Sequence, residues 1–308
     1  MADRSDTFVS FDPEEMPLDE KLYHSHVREH DSAFLKKHTG IQDDEELRRH
    51  AMQIQADAYR VYPYPCIRYF WFIHTDITLQ PAYAQLLKLG QKRPGAIFLE
   101  IPCAFGNDIR KVIDGGFPQE NCVTADLEPS YWALGHRLFK STPESFPVPF
   151  VPGDIFDANY LASAPPFYAP LSTPAPALPS LITLTPLQGR VSAINAAMFF
   201  HLFDEAKQLA LAQRLASLLS PLPGTLILGL HYSADVKGVR DSQPGGDDTP
   251  DVIRVFCHSP KSWAALWDGG VFTKGTVKAE AELRDVPIYA TAPPQGKLWL
   301  MVWSVTRL

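Results

Sequence analysis

The first third of the chain carries apolar residues at helical spacing among charged positions. This spacing predicts three helices, over residues 22–34, 45–59 and 82–89. Between the second and third helices, residues 61–67 contain two prolines and are expected to be extended. Residues 1–20 are acidic and contain Pro13 and Pro17, which is typical of a loose arm. We therefore expect an N-terminal arm and helical cap over residues 1–92.

Beyond residue 92, short apolar runs alternate with helical patterns. The runs predict five buried strands, over residues 96–101, 122–126, 149–156, 191–196 and 225–231. The patterns between them predict helices over residues 107–114, 130–139 and 203–219. Residues 272–282 and 298–305 are expected to form a hairpin pair at the sheet edge. The alternation predicts an α/β fold, a doubly wound Rossmann-like sheet with helices on both faces, over residues 93–308.

Two segments break this alternation and are expected to be loops. Residues 164–186 contain seven prolines, so they form neither a central strand nor a long helix. We interpret them as an ordered surface insertion before the fourth strand. Residues 243–248 are rich in glycine and aspartate and predict a solvent-facing loop. Both loops are expected to gate a pocket in the α/β domain.

Composition and charge restrict the function classes. The chain has 308 residues, a net charge of −7 and a pI near 5.8. Nucleic acid binding needs a basic surface, so we expect no nucleic acid partner. The sequence has no apolar run long enough to span a membrane, and its four cysteines are scattered, which fits a reducing cytoplasm. The oligomeric state is left open.

Three acidic residues lie at or near the ends of predicted strands, where a cofactor would lie. Glu100 ends the first strand before a tight turn, and an acid there suits a cofactor that carries an ammonium group. Asp126 ends the second strand and could accept hydrogen bonds from two ribose hydroxyls. Asp154 could accept from an adenine amino group, while Ile155 and Phe156 would cover the ring.

The same stretch resembles a known protein family. Residues 62–219, and more faintly up to residue 267, resemble the fungal secondary-metabolite methyltransferases of the class I superfamily, the group that includes the meroterpenoid methyltransferases. The matching phrases are residues 61–67, 103–111, 126–129 with 134–135, 153–157 and 200–203. The resemblance implies a Rossmann-like methyltransferase fold, S-adenosylmethionine as methyl donor and a small natural-product or phenolic acceptor. The candidate cofactor-binding residues are Glu100, Pro102, Gly106, Asn107, Asp126, Leu127, Asp154, Ile155, Phe156 and Asn195.

One departure from the family concerns the turn after the first strand. The family usually has glycine at the position of Pro102 and often glutamine at that of Asn107, and only Gly106 remains of the glycine-rich turn. Proline fixes φ and removes an N–H group. Two interpretations follow, an adapted functional site or a decayed one, and the presence of all three acids favours the first.

Methyl transfer to a phenol is helped by a base, whereas a carboxylate needs none. His201, beyond the fourth strand, is the first candidate base, with capping or core filling as its alternative. His231, at the end of the fifth strand, is the second, and a purely structural role is favoured for it. His258 is a third and weaker candidate.

Aromatic residues before the sheet are candidates for the acceptor pocket. Tyr64 and Trp71, with His201, are the predicted substrate-binding residues, and Tyr62, Tyr69 and Phe70 are further wall candidates, although such a run is more often core. Asp154 and Asn195 could supply part of a metal site, but no third ligand is evident. We therefore predict a metal-independent enzyme.

Three functions remain open. The leading hypothesis is S-adenosylmethionine-dependent O-methylation of a small hydrophobic phenol or hydroxylated natural product. An NAD(P)-dependent oxidoreductase is consistent with Asp126 but lacks the GxGxxG motif. The third is a methyltransferase-like binding protein without activity.

Overall fold

A seven-stranded sheet forms the centre of the molecule. The computed structural model describes residues 17–242, 253–285 and 298–308. The sheet order is β3-β2-β1-β4-β5-β9-β8. Its strands are β1 (Ile97–Glu100), β2 (Cys122–Asp126), β3 (Phe150–Pro152), β4 (Val191–Asn195), β5 (Leu226–Ser233), β8 (Val277–Arg284) and β9 (Trp299–Arg307). A separate two-stranded sheet pairs β6 (Gly238–Ser242) with β7 (Ile253–Cys257).

Helices precede the sheet and alternate with its strands. They are α1 (Leu22–His26), α2 (Glu29–Thr39), α3 (Asp44–Val61), α4 (Pro65–Arg68), α5 (Tyr83–Lys92), α6 (Asn107–Asp114), α7 (Pro129–Leu138), α8 (Glu205–Leu218) and α9 (Pro260–Trp267).

The strand order confirms the predicted Rossmann-like fold. Strands β1 to β5 are parallel neighbours, and β9 pairs antiparallel to both β5 and β8. Strands β2 and β3 follow β1 on one side of the sheet, and strands β4 and β5 follow on the other side. The carboxyl ends of β1 and β4 therefore border the crevice in which α/β proteins of this type bind ligands.

The N-terminal helices share a core with the α/β sheet region. Leu47, Ile54 and Ala58 of α3 pack with Leu134 and Leu138 of α7. The predicted division at residue 92 is therefore crossed by a continuous apolar core. This packing fixes the position of the segment that follows α3 relative to the sheet.

Several boundaries differ from the prediction for local reasons. The single helix predicted over residues 22–34 is two helices, because Val27 is extended and the side chain of Arg28 pairs with Asp31 and Asp76. The segment predicted to be extended over 61–67 is extended only over residues 62–64, because Val61 still belongs to α3 and Pro65 begins α4 at a position that proline favours. Residues 153–156, predicted as part of the third strand, follow β3 as a turn.

The predicted edge pair is present, with β8 at the edge and β9 inside it. The proline-rich residues 164–186 contain no strand and only short 3₁₀ turns, as predicted. The sequence interpretation missed the β6–β7 hairpin and α9. The loop predicted over 243–248 and the arm up to residue 16 lie outside the described residues. Across the described ranges, no helix is long and apolar enough to cross a membrane.

Candidate active site

A cavity of about 490 Å³ opens at the carboxyl ends of β1, β2 and β4. The turn after β1, the end of β2 and residues 153–156 form one side of it. The segment from Tyr64 to Asp76, the turn after β4 and the end of β5 form the other side. The first side contains most of the predicted cofactor residues, and the second contains the predicted acceptor residues.

Glu100 is buried at the start of the turn that links β1 to α6. Its Oε2 atom accepts a hydrogen bond of 2.8 Å from the backbone N–H of Ile109 in the first turn of α6. Burial, followed by the nearby charge of Asp108, raises the pKa of Glu100 well above its usual range. A carboxylate has about four lone-pair sites, so Ile109 uses only one of them. The remaining acceptor capacity lies at the cavity.

Asp126 holds the turn from the neighbouring strand. Its two carboxylate oxygens accept hydrogen bonds from the backbone N–H groups of Ala104, at 2.8 Å, and Glu128, at 3.0 Å. Burial raises the pKa of Asp126, while these backbone hydrogen bonds lower it. Ala104 and Gly106 both have positive φ, 43° and 70°, so the chain reverses within a few residues.

Pro102 and Gly106 have different positions in this turn. Pro102 follows a cis peptide bond and lies in the cavity wall, so the turn passes the cavity without an N–H at that position. Gly106 does not line the cavity, and a Cβ there would lie 2.5 Å from the Trp132 ring. Its backbone is the N-cap of α6. Gly106 is therefore required by helix packing, and its direct contact with a cofactor stays a prediction.

Asn107 and Asp108 begin α6 and bind the segment that precedes β1. The Asn107 amide donates hydrogen bonds to the carbonyl oxygens of Phe72 and His74. Its Oδ1 atom is buried and has no partner within the described residues. The carboxylate of Asp108 accepts from the backbone N–H of Ile77 at 3.1 Å. These bonds join the two sides of the cavity.

Asn195 is not at the cavity. Its amide donates to Asp108 Oδ2 at 3.2 Å, and its carbonyl oxygen accepts from Gln80 at the same distance. Because both ends of the side chain are used in a buried cluster, the predicted cofactor contact of Asn195 is corrected to a support for α6. Burial, followed by the charge of Asp76, raises the pKa of Asp108 to about 7.

The remaining predicted cofactor residues lie on the rim and wall. Asp154 is exposed, and its Oδ1 atom accepts from the backbone N–H of Phe156 at 2.8 Å. Ile155 is buried and Phe156 half-buried, and both line the cavity. Leu127 lines it from the end of β2, with 40% of its surface exposed.

The acceptor side is mostly apolar and aromatic. Tyr64, Trp71 and His201, the three predicted substrate-binding residues, all line it. Tyr62, Tyr69 and Phe70 do not line it, and Phe70 lies fully buried in the apolar core beneath. The sequence interpretation missed several lining residues because their contribution depends on the strand order: Cys66, Asp76, Met198, Phe199, Tyr232 and Leu298.

His201 and Tyr232, which both line the cavity, pack with their rings edge to face. The ring centroids are 5.1 Å apart and the planes are 84° apart. Burial lowers the pKa of His201 to about 3, so the imidazole is neutral at physiological pH. His201 is therefore a neutral polar group in an apolar wall.

His231 and His258 lie outside the cavity lining. His231 is buried among Phe200, Trp263 and Trp303, and its Nδ1 atom accepts a hydrogen bond of 3.0 Å from the Trp303 indole. The prediction that His231 acts as a base is corrected by this position, because the aromatic side chains separate it from the cavity. No cluster of three or more His, Cys, Asp or Glu side chains in the described ranges could hold a metal ion.

Comparisons with known proteins identify relatives. A family model for the meroterpenoid methyltransferase N-terminal domain matches residues 19–73. The O-methyltransferase phiE of Fungal sp. (strain ATCC 74256) is 28% identical over 72% of this chain and 65% of its own length. The asnovolin E/chermesin D methyltransferase nvfJ of Aspergillus novofumigatus is 28% identical over 78% of this chain and 76% of its own length.

Among solved structures, the 1,6-didemethyltoxoflavin-N1-methyltransferase of Burkholderia thailandensis is similar over 87% of this chain and 91% of its own. The sequences are 15% identical and the TM-score is 0.43.

Proposed function

We propose that this chain, a relative of the fungal secondary-metabolite methyltransferases, transfers a methyl group from S-adenosylmethionine to an oxygen atom of a small hydrophobic molecule. The relationship confirms the resemblance that the sequence motifs predicted. The relatives named above are methyltransferases, so the comparisons do not favour the nicotinamide-dependent alternative. The observation that carries the proposal is one cavity with hydrogen-bond acceptors at one end and an aromatic wall at the other.

The cofactor side fits S-adenosylmethionine by the chemistry of its donor and acceptor groups. The cofactor presents an ammonium group, two ribose hydroxyls and an adenine amino group, all of which donate hydrogen bonds. The cavity presents Glu100, the unpartnered Oδ1 atom of Asn107, Asp126 and Asp154, all of which accept them. Buried acceptors without partners cost free energy, so a ligand that donates to them binds favourably.

Each of these hydrogen-bond-accepting side chains would hold one part of the cofactor. Glu100 and Asn107 would hold the amino-acid part, Asp126 the ribose, and Asp154 with Ile155 and Phe156 the adenine. When bound, the cofactor supplies a methyl group on a positively charged sulfur that needs no further activation. The protein therefore has to align the acceptor oxygen, exclude water and leave room for the departing proton.

The acceptor side favours a flat or polycyclic apolar molecule. Tyr64, Trp71 and Tyr232 offer ring surfaces, and Met198 and Leu298 offer flexible apolar ones. Such a lining recognises shape and apolar area, and a few polar groups fix the orientation. A phenol or hydroxylated natural product fits this wall.

A carboxylic acid of similar size is the second candidate acceptor. Efficient general bases have a pKa near the working pH, whereas burial lowers the pKa of His201 to about 3. An acceptor that has already lost its proton needs no base. The low basicity of His201 is the observation that favours this class.

Pairs of methyl acceptors that share a skeleton distinguish a hydroxylated substrate from a carboxylic acid. Each hydroxylated aromatic in a panel is paired with the acid of the same skeleton, and methylated products are identified by mass spectrometry. Products from either series support the proposed function, and the preferred series assigns the acceptor. A protein that binds S-adenosylmethionine but methylates neither series would support the binding-protein alternative instead.

Substitutions test the cofactor assignment independently. Glu100→Ala and Asp126→Ala should each abolish measurable cofactor binding, because each removes ligand contacts and a support of the turn. Glu120→Ala, an acid on the segment before β2 that does not line the cavity, is the control and should bind normally. Unchanged binding by either cavity variant would contradict the assigned site. Metal independence and a cytoplasmic location stay predictions from the sequence.

A further inference from the structure

Asp76 supplies the charge on the acceptor side of the cavity. That side consists of the segment that ends at Asp76, the turn after β4 and the end of β5. Burial lowers the pKa of His74 and of His201, so both imidazole rings that line this side are neutral at pH 7. Lys207, the one lysine or arginine in the described lining, lies over the ring of Phe156 on the cofactor side. Within the described lining, the acceptor side therefore offers a ligand one negative charge and no positive charge.

The backbone on both sides of Asp76 is held by buried carboxylates. Asp31 accepts hydrogen bonds from the backbone N–H and the hydroxyl of Thr75, at 2.9 and 2.8 Å. Asp108 accepts a hydrogen bond of 3.1 Å from the backbone N–H of Ile77. Leaving a buried polar group without its partner is costly. Asp76 is therefore fixed in the cavity wall by the residues that precede and follow it.

The negative charge of Asp76 is only partly neutralised by the protein. Arg28 Nη2 lies 2.9 Å from Asp76 Oδ1, but Nε of the same guanidinium pairs with Asp31. His74 Nδ1 lies 3.9 Å from Asp76 Oδ1 and adds no charge. The other nitrogen of that ring, Nε2, lies 2.8 Å from the carbonyl oxygen of His26, which can only accept, so the proton of the neutral ring is on Nε2. One guanidinium thus serves two carboxylates.

This carboxylate can still bind a ligand. A carboxylate has about four lone-pair sites, so the ion pair with Arg28 does not exhaust those of Asp76. The side chain is 13% exposed, so solvent and salt screen its charge less than that of a surface residue. A hydroxyl group can donate to such a carboxylate in a charge-assisted hydrogen bond, whereas a second carboxylate is repelled.

We infer that Asp76 determines which methyl acceptor the cavity takes: it accepts a hydrogen bond from the hydroxyl group of a neutral molecule and excludes carboxylic acids. The inference rests on the proposed function, since it takes the ligand of this side to be the methyl acceptor. It assigns the hydroxylated class over the acid of the same skeleton. Asp76 orients the hydroxyl and sets specificity.

Three probes of one skeleton test this assignment without any turnover. At pH 7, 2-naphthol is neutral and donates a hydrogen bond, 2-methoxynaphthalene is neutral and cannot donate one, and 2-naphthoate is charged. Each probe is titrated calorimetrically into protein saturated with S-adenosylhomocysteine, which fills the cofactor side and has no methyl group to transfer.

The wild type should bind 2-naphthol at least about 10-fold more tightly than 2-naphthoate, because a like charge at close range disfavours the acid. The loss of one hydrogen bond should make 2-methoxynaphthalene bind about 3- to 10-fold more weakly than 2-naphthol. Equal or tighter binding of 2-naphthoate would overturn the inference. Failure of all three probes to bind would overturn it as well, because the acceptor side would then not hold an aromatic ligand.

Asp76→Asn isolates the charge. Asparagine has the same size and keeps a carbonyl oxygen for Arg28, so we expect 2-naphthoate to bind about 10-fold more tightly while the two neutral probes change by less than about 3-fold. A loosened wall would weaken all three probes, so a gain for the anion alone does not arise from a structural defect. Asp76→Glu keeps the charge and should keep the wild-type order.

Asp57→Asn is the matched control. Asp57 is also paired with arginine, at 2.6 Å from Arg137, but it does not line the cavity, so its probe affinities should equal those of the wild type. Unchanged discrimination in a folded Asp76→Asn variant would contradict the assignment of Asp76.

Failure of this inference differs from failure of the proposed function. If the chain methylates compounds of the panel but prefers the acids, the function stands and the role of Asp76 falls. If the probes bind in the expected order but neither series is methylated, Asp76 still selects the ligand of a binding protein. Where both hold, Asp76→Asn should shift the ratio of kcat/KM between the paired substrates towards the acid.

Discussion

Gly135 tests whether helix α7 supports the cofactor turn. A Cβ atom at this position would lie 2.2 Å from the carbonyl oxygen of Phe105, well inside the 3.0 Å below which real Cβ contacts essentially never occur. The opposing atom is backbone, so Gly135→Ala must displace the helix or the turn by about 1 Å to reach ordinary contact. The turn carries Ala104 and Gly106, and Asp126 holds it from the neighbouring strand.

The displacement has two measurable consequences. Overpacking of this kind costs about 1–3 kcal/mol of unfolding free energy, which lowers the Tm of a chain of this size by roughly 2–5 °C. Moving the groups that bind the ligand by about 1 Å weakens or breaks their hydrogen bonds, each of which contributes about 0.5–1.5 kcal/mol. We therefore expect Gly135→Ala to weaken S-adenosylhomocysteine binding by about 10- to 100-fold, as measured by calorimetric titration, and to lower Tm in differential scanning calorimetry.

The matched control is Gly115→Ala at the end of α6. A Cβ there would meet the ends of the Leu87 and Tyr83 side chains at 2.9 Å, and these can rotate away. We expect the same affinity as the wild type and a smaller change in Tm. If Gly135→Ala bound the ligand as tightly as Gly115→Ala and melted at the same temperature, the assignment of α7 as support of the turn would be refuted.

Three further predictions concern the turn, the wall and the buried acid. Arg110 donates to the carbonyls of Phe105 and Gly106 at 3.1 and 3.0 Å, so Arg110→Lys, which lacks the fork of donors, should lower both Tm and cofactor affinity; unchanged values would contradict its role. Trp71→Ala should raise the acceptor KM about 10-fold and leave the cofactor Kd unchanged; an equal loss of both would place Trp71 on the cofactor side. Burial raises the pKa of Asp108 from 3.8 to about 7, so its contribution to stability is full below pH 4 and lost as pH rises towards 7. The free energy of unfolding, measured by chemical denaturation at pH 4–7, should change with pH at rates that differ between wild type and Asp108→Asn by up to about 1.4 kcal/mol per pH unit. Identical rates of change would exclude a raised pKa of Asp108.

The acids of the cofactor side were predictable from the sequence, because each ends a short apolar run. Parallel strands end at one edge of a sheet, so Glu100 and Asp126 had to lie near each other once both strands were identified. Tyr64 and Trp71 could be predicted to line a pocket only because they precede the sheet in an aromatic run. Their contact with the cavity depends on the packing of α3 against α7.

Other parts of the site depend on contacts between distant segments. Asn195 ends a strand as Asp126 does, but its amide is taken by Asp108 and by Gln80, which lies 115 residues earlier. His231 ends β5, yet it is enclosed by Trp263 and Trp303, which come from α9 and β9. No local pattern indicates these partners, so strand-end position alone could not separate cavity residues from core residues.

The missed elements differ in how much signal they carried. Ser259 and Ser262 form a capping box with Pro260 at the first position of α9, and this start signal was readable in the sequence. The β6–β7 hairpin was not readable, because its strands are five residues each and short strands carry little periodicity.

Calorimetric titration of the purified chain with S-adenosylmethionine, S-adenosylhomocysteine, NAD and NADP tests the central claim most directly. Our account predicts binding of the first two ligands at about micromolar Kd, with no heat from the nicotinamide cofactors and loss of binding in Asp126→Ala. Binding of NAD or NADP instead, or no binding of any of the four, would contradict the claim that Glu100, Asn107 and Asp126 form a methyl-donor site.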